Sequence, residues 1–319
     1  MDRLRRLPLP HLFINVLSHS GRLFRNNGNG TFREVTAEAG INGPKAGFSC
    51  WAFDYDNDGK PDIFATCYDY TVTDVVAGML GRPHTWQTGR LYRKLGNGKF
   101  QDVTKEAGLD LPFATMGSNF GDLDNDRFLD FYLGTGNPDF SMLIPNRMFR
   151  NLGGVRFADI TGSSGTGHLQ KGHGVAIGDW TRTGVADIVV EMGGAVDGDR
   201  YHNVLFTNPG NDNNWLNVKL VGKKTNRSAI EARIKVTTAG PTPRTIYRWV
   251  SSGSSFGANP LEQHVGLGKA ERVAELEVFW PTSNTTQVFK DVAVNQGIEM
   301  KESVAAFRER EYRPIPLPK

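Results

Sequence analysis

Four aspartates, Asp54, Asp56, Asp58 and Asp62, fall within nine residues of the stretch "AFDYDNDGKPDIF". Like charges this dense repel one another unless water or a cation screens them. Calcium takes about six to eight oxygen ligands, and the alternate spacing of a tight acidic turn brings carboxylates to one side of it. Asp54, Asp56 and Asp58 occupy positions 1, 3 and 5, and Gly59 permits the bend. The backbone carbonyl of Lys60 fills position 7, and Asp62 closes the shell at position 9, with water completing it. The spacing follows the first half of an EF-hand loop, but the closing acid comes at position 9. Hard oxygen donors with no His or Cys favour Ca²⁺, with Mg²⁺ as the second candidate. The competing reading is a solvated Asx-turn.

The pattern returns as Asp122, Asp124, Asp126 and Asp130, with the carbonyl of Phe128 at position 7 and Arg127 where the first loop has glycine. A third copy keeps Asp179 and Asp187 at positions 1 and 9 but carries Thr181 and Thr183 at positions 3 and 5. A hydrogen-bonded turn with weak or no calcium binding is expected there. Paired carboxylates also serve glycosidases, which need one acid of raised pKa across a cleft. Aspartates packed around a cation have lowered values instead, so the expected role is structural.

The elements that must hold these loops show in an internal repeat. "RLFRNNGNGTFREVTAEAGI" (22–41) recurs as "RLYRKLGNGKFQDVTKEAGL" (90–109) and, more weakly, as "RMFRNLGGVRFADITGSSGT" (147–166). Asp54, Asp122 and Asp179 lie 68 and then 57 residues apart, in step with Phe32, Phe100 and Phe157. Each unit reads as four short strands, with "NNGNG" and "LGNG" as hairpin turns and the acidic loop joining the other two strands. Four-stranded units of this length are the mark of propeller blades. The longer first period holds an insertion, 68–89, in which Thr73 is expected to cap a short helix through Leu80.

The 319 residues are 39% hydrophobic, enough to bury a sizeable core, and 37 glycines favour short strands and turns. The balance of 37 basic against 34 acidic residues offers no basic excess for nucleic acid. No stretch approaches the roughly 20 apolar residues of a membrane span, and "MDRLRRLPLPHLFINVLSHSG" lacks a convincing signal-peptide cleavage site. Cys50 and Cys67 flank the first acidic loop. Either a cross-strand disulfide or two buried free thiols fits them.

The alternation of "LFRNNGNGTF" with "DYDNDGKPD" resembles the FG-GAP and VCBS repeats of calcium-binding β-propellers, over roughly 13–206. After Asn208 the repeat stops. "NNWLNVKL", "NRSAIEARIKV", "SSGSSFG", "HVGLGKAERVAELEVFWP" and "VAVNQ" resemble the ASPIC/UnbV domain, with Glu231 where that family usually has glycine. Alternation places strands at Trp215–Leu220, Ala232–Thr237, Thr245–Val250 and Ala274–Trp280. The expected fold is all-β. It comprises a partial FG-GAP/VCBS-type propeller over 1–210 and a small β-sandwich-like ASPIC/UnbV domain over 211–300, then a tail over 301–319. The propeller would hold a blade remnant at 1–21 and repeats near 22–89, 90–146 and 147–206, about three to four blades where closure needs about four to eight. The start reads as a truncated or decayed blade. The chain is then either the C-terminal portion of a longer protein or an arc completed by another chain.

Three other motifs fit commoner readings. "GSSFG" (253–257) matches a nucleophile elbow at Ser255, with Glu262 and His264 following, but no helix pattern follows the serine. His168 and His173 read as loop hydrogen-bonding residues rather than metal ligands, and "GLGKA" (266–270) lacks the rest of a phosphate loop. Asn29, Asn226 and Asn284 open glycosylation triplets, which matter only in a eukaryotic secretory setting.

The resemblance implies an extracellular or periplasmic, non-enzymatic, calcium-bound scaffold for recognition or adhesion. Its partner would be a protein or a glycan, and open blade edges would allow self-association. The alternatives are an enzyme or biosynthetic accessory with a site between propeller and C-terminal domain, and a fragment of a longer propeller protein.

Overall fold

The computed structural model describes residues 11–82, 86–194, 197–254 and 256–316. Four small sheets come first. One holds β1 (Leu12–Ile14), β2 (Arg22–Asn26) and β3 (Phe32–Glu34). The next holds β4 (Gly47–Phe53), β5 (Asp62–Cys67), β6 (Arg90–Gly96) and β7 (Lys99–Asp102), paired in that order. The third repeats it with β8 (Thr115–Gly121), β9 (Asp130–Thr135), β10 (Arg147–Leu152) and β11 (Arg156–Asp159). The fourth has β12 (Gly172–Gly178), β13 (Asp187–Met192) and β14 (Val204–Phe206). All pairs in these sheets are antiparallel, which is the up-and-down order of propeller blades. The result is an all-β partial propeller with no closed ring.

The sheets are phased half a unit later than the sequence repeats. Each acidic loop joins the first two strands of its sheet, and the "RLFR"-type hairpin closes the outer edge. The "RLFRNNGNGTF" hairpin therefore completes the first, three-stranded sheet. The first ten residues of the blade remnant lie outside the described residues.

Aromatic side chains fill the space between sheets. Trp51, Phe64, Phe131 and Phe149 are buried there, with Phe131 stacked on Phe149 at 4.8 Å. The inner strands converge tightly: β8 lies against both β4 and β12. A Cβ on Gly117 would stand 1.3 Å from the His173 carbonyl oxygen, so only glycine permits that approach.

The first strand of each acidic hairpin carries a bulge at the same place, between Gly47 and Cys50, Thr115 and Ser118, and Gly172 and Val175. The pairing register decides the cysteines. Cys67 pairs with Gly47 and Cys50 with Ala65, so the two thiols are not opposite each other, and both are free. The inserted helix spans Val72–Met79, and Thr71, not Thr73, is its cap: Thr71 and Asp74 form a reciprocal capping box.

The C-terminal domain is a sandwich of two four-stranded sheets. They are built from β15 (Asn214–Val221), β16 (Arg233–Thr238), β17 (Thr245–Trp249), β18 (Gln263–Gly268), β19 (Arg272–Trp280), β20 (Thr285–Ala293), β21 (Gln296–Lys301) and β22 (Arg308–Arg310). The orders are β18-β15-β21-β22 and β17-β16-β19-β20. Leu216, Val218, Ile234, Val236, Leu276, Val278, Trp280 and Ile298 make one fully buried core between them. The alternation of apolar residues along β16 and β19 produces it.

The sandwich docks on the blades through the segment between β17 and β18. Ser254 Oγ lies 3.1 Å from Ser118 Oγ, the Phe256 carbonyl accepts from Val175 N–H, and Asn259 Nδ2 donates to the Phe120 carbonyl. This segment fills the converging inner strands of three sheets. Gly257, at φ 153°, passes so close to Val175 that a Cβ would lie 2.0 Å from its carbonyl oxygen.

Candidate metal centre

All three acidic turns have one backbone path. Positions 4 and 6 take left-handed conformations throughout: Asn57 and Gly59, Asn125 and Arg127, Arg182 and Gly184. Arg127 holds φ 91° where the other two turns have glycine. Its backbone N–H donates to Asp122 Oδ2 at 3.0 Å and its Nε donates to the Asp126 carbonyl, which offset the strain.

Position 1 acts as a turn cap. Asp54 accepts from the N–H groups of Asp58 and Gly59, and Asp179 from those of Thr183 and Gly184. Position 9 ties the turn to the next strand. Asp62 accepts from Tyr55 N–H and Lys94 N–H, Asp130 from Leu123 N–H and Asn151 N–H, and Asp187 from Thr181 N–H and Asn208 N–H. The fold therefore uses the aspartates at positions 1 and 9 in every copy. Those at positions 3 and 5 are a different matter. The backbone bonds of Asp56, Asp58, Asp124 and Asp126 are Asx-type bonds two residues ahead; Asp58 also pairs with Lys60, and Asp124 with Arg150 at 2.6 Å. In the third turn threonines stand at both positions. There the two hydroxyls lie 3.1 Å apart and Thr181 Oγ1 donates to Asp187.

Two clusters form. Asp54, Asp56 and Asp58 each offer an oxygen within 4.8 Å of the others, as do Asp122, Asp124 and Asp130. Asp62 and Asp126 stand outside these clusters. Asp62 is occupied by its backbone partners, and Asp126 faces the Phe128 N–H. Lys60 and Phe128 were expected through their carbonyls; the Lys60 ammonium meanwhile pairs with Asp58 at 2.7 Å.

The second cluster is bonded unevenly. Asp122 Oδ2 accepts from Arg127 N–H, Gly266 N–H and Arg248 Nη2. Its Oδ1 is buried with no hydrogen-bond partner. A buried carboxylate oxygen left bare costs about 1–3 kcal/mol or more, and this one belongs to the group that converges with Asp124 and Asp130. The residues thus fit a hard cation.

Electrostatics agree. Burial pushes Asp54 and Asp122 up to about 7 and Asp62 up to about 8, and holds Asp130 well above the usual carboxylate range. Neighbouring carboxylates add to each shift, and positive charge placed among them would return all four to the ionised state. The lowered values expected for a cation-filled turn belong to that charged arrangement.

Sequence reasoning missed the residues that couple the second turn to the sandwich. Arg248, fully buried, reaches Asp122 from β17, and both ring nitrogens of His264 meet asparagine oxygens, Asn125 at 2.6 Å and Asn217 at 2.8 Å. Tyr312 donates to Asp179 at 2.8 Å. No local pattern signals these, because the partners in the blade turns are 126 to 139 residues away.

Among the described residues, the members of the catalytic alternative are not brought together. Ser255 lies outside the described residues. Glu262 pairs with Arg310 rather than with His264. Neither His168, packed edge-on to Tyr201, nor His173 lines the cleft between propeller and sandwich.

Comparison with known proteins accords with this architecture. Residues 12–65 match the FG-GAP-like repeat family, and residues 222–306 match the family described as ASPIC and UnbV. The chain is similar to cartilage acidic protein 1 of Homo sapiens, 27% identical over 269 residues, which cover 81% of this chain and 37% of that protein. It is likewise similar to cartilage acidic protein 1 of Xenopus tropicalis, 28% identical over 271 residues. The chain spans 37% of the length of these curated relatives.

Proposed function

From this likeness and the two aspartate clusters, we propose that the protein is a non-enzymatic, calcium-binding propeller scaffold that works in extracytoplasmic recognition or adhesion. Calcium is held by Asp54, Asp56 and Asp58 in the first turn and by Asp122, Asp124 and Asp130 in the second, with Mg²⁺ as the weaker competitor. The single observation that carries the metal reading is the bare, buried Oδ1 of Asp122 beside two further carboxylates. The third turn keeps the fold with threonines, so the extra acids of the first two answer to something other than folding. The resemblance to cartilage acidic protein 1 carries the extracytoplasmic setting, and no helix among the described residues is long and apolar enough to cross a membrane.

Calorimetric titration of chelator-treated protein with CaCl₂ tests the reading. Saturable binding at two sites, with a rise in melting temperature, supports it. No heat and no thermal shift overturns it.

A further inference from the structure

A cleft of about 690 Å³ opens where the second and third turns face the sandwich. Trp180, on the third turn, lines it and keeps 62% of its surface exposed. An indole on the wall of a cleft offers a flat apolar surface with a polar edge, on which a flat amphipathic ligand can stack. Beside it stands Arg182, which has no carboxylate partner among the described residues. Across the cleft lie Gln263 and the ion pair of Glu262 with Arg310.

The same Glu262–Arg310 pair also lines a second groove, of about 500 Å³, on the sandwich. Arg227 and Lys301 line that groove with no ion pair within 4 Å among the described residues; Glu299 lines it too, holding Lys219. One track therefore runs from an exposed indole with one unpaired cation, past a polar pair, to two more unpaired cations.

We propose that this track binds an anionic oligosaccharide, one bearing uronate or sulfate groups. The apolar C–H face of one sugar ring stacks on Trp180. Arg182 takes an acidic group at that end, and Arg227 and Lys301 take another further along. Gln263, Glu262 and Arg310 present planar donors and acceptors to the hydroxyls between. A linear acidic peptide would satisfy the cations, but the open indole face suits a ring. The inference names the ligand class of the recognition role proposed above and does not depend on calcium occupancy.

The test is calorimetric titration of the full chain with a heparin-derived hexasaccharide, in CaCl₂ and again in EDTA, beside an oligoglutamate peptide of equal charge. Trp180 is exposed, so Trp180→Ala is expected to melt like wild type. It should weaken hexasaccharide binding about tenfold, as loss of an aromatic stack does, with Arg182→Gln weakening it also. Saturable binding that behaves so supports the proposal. Equal binding in CaCl₂ and in EDTA is expected, and failure of the metal reading would leave the EDTA arm unchanged; hexasaccharide binding that is lost in EDTA overturns a calcium-independent site. Absence of hexasaccharide binding in both buffers, binding indifferent to Trp180→Ala, or equal or tighter binding of oligoglutamate overturns it.

Discussion

Arg248 of the sandwich places Nη2 3.2 Å from Oδ2 of Asp122 in the second blade turn, and both side chains are buried from solvent. One carboxylate thus serves two masters: Oδ2 faces the sandwich and Oδ1 faces the aspartate cluster. Removing one member of a buried ion pair strands the other, typically at about 3–5 kcal/mol. Arg248→Met and Asp122→Asn should each lower stability by about that much, and the double variant by less than the sum. Urea unfolding of the four proteins checks it; simple additivity would mean the pair is not coupled.

Positions 3 and 5 should separate from position 9. Asp56→Asn with Asp124→Asn is expected to leave the chelated protein's melting temperature within about 2 °C of wild type while abolishing the calcium-induced rise. In wild type that rise corresponds to about 2.7 kcal/mol at a hundredfold excess over Kd. Thermal melts in EDTA and in CaCl₂ decide between them.

Asp187 holds the third turn without calcium. Asp187→Asn keeps at most one of its two backbone bonds with Thr181 and Asn208. The expected loss is about 1–3 kcal/mol, the same in EDTA and in CaCl₂. A loss confined to one buffer would contradict the purely structural role.

The buried aspartates make stability depend on pH in an unusual direction. Their folded values, about 7 for Asp54 and Asp122 and about 8 for Asp62, stand above the ordinary 3.8 of an exposed aspartate. A group whose folded pKa is raised stabilises most below its unfolded pKa, and that contribution is lost as pH rises through the folded value. In EDTA the melting temperature should therefore fall as pH goes from about 4 to about 8, and CaCl₂ should remove most of that fall. A calcium increment that shrinks with rising pH would refute the assignment.

Much of this was legible in the sequence, for reasons that differ by residue. The period of Asp54, Asp122 and Asp179 fixed blades and turns because each turn is built from contiguous residues. Strands β15, β16, β17 and β19 were read from alternation, but β18, β20, β21 and β22 were not. Gln263–Gly268 is glycine-rich, and β20 carries charged or polar residues at most outward positions. The register that sets Cys50 opposite Ala65 and Cys67 opposite Gly47 leaves no mark in composition. Arg248, His264 and Tyr312 lie in a domain with its own periodicity, and nothing local ties them to turns more than a hundred residues earlier. Trp180 stood in plain view within the third turn, but only the cleft gives it a use.

The segment between β17 and β18 also has a consequence in time. The contacts it makes with Cys50, Ser118 and Phe120 span 204, 136 and 139 residues. Tandem blades ordinarily fold as they leave the ribosome, each closing on its predecessor. Here the inner strands wait for a piece of chain synthesised 136 to 204 residues later, and long-range closure of this kind is slow. The newborn arc is the state most exposed to misassembly, and the finished molecule is expected to melt as one unit rather than blade by blade.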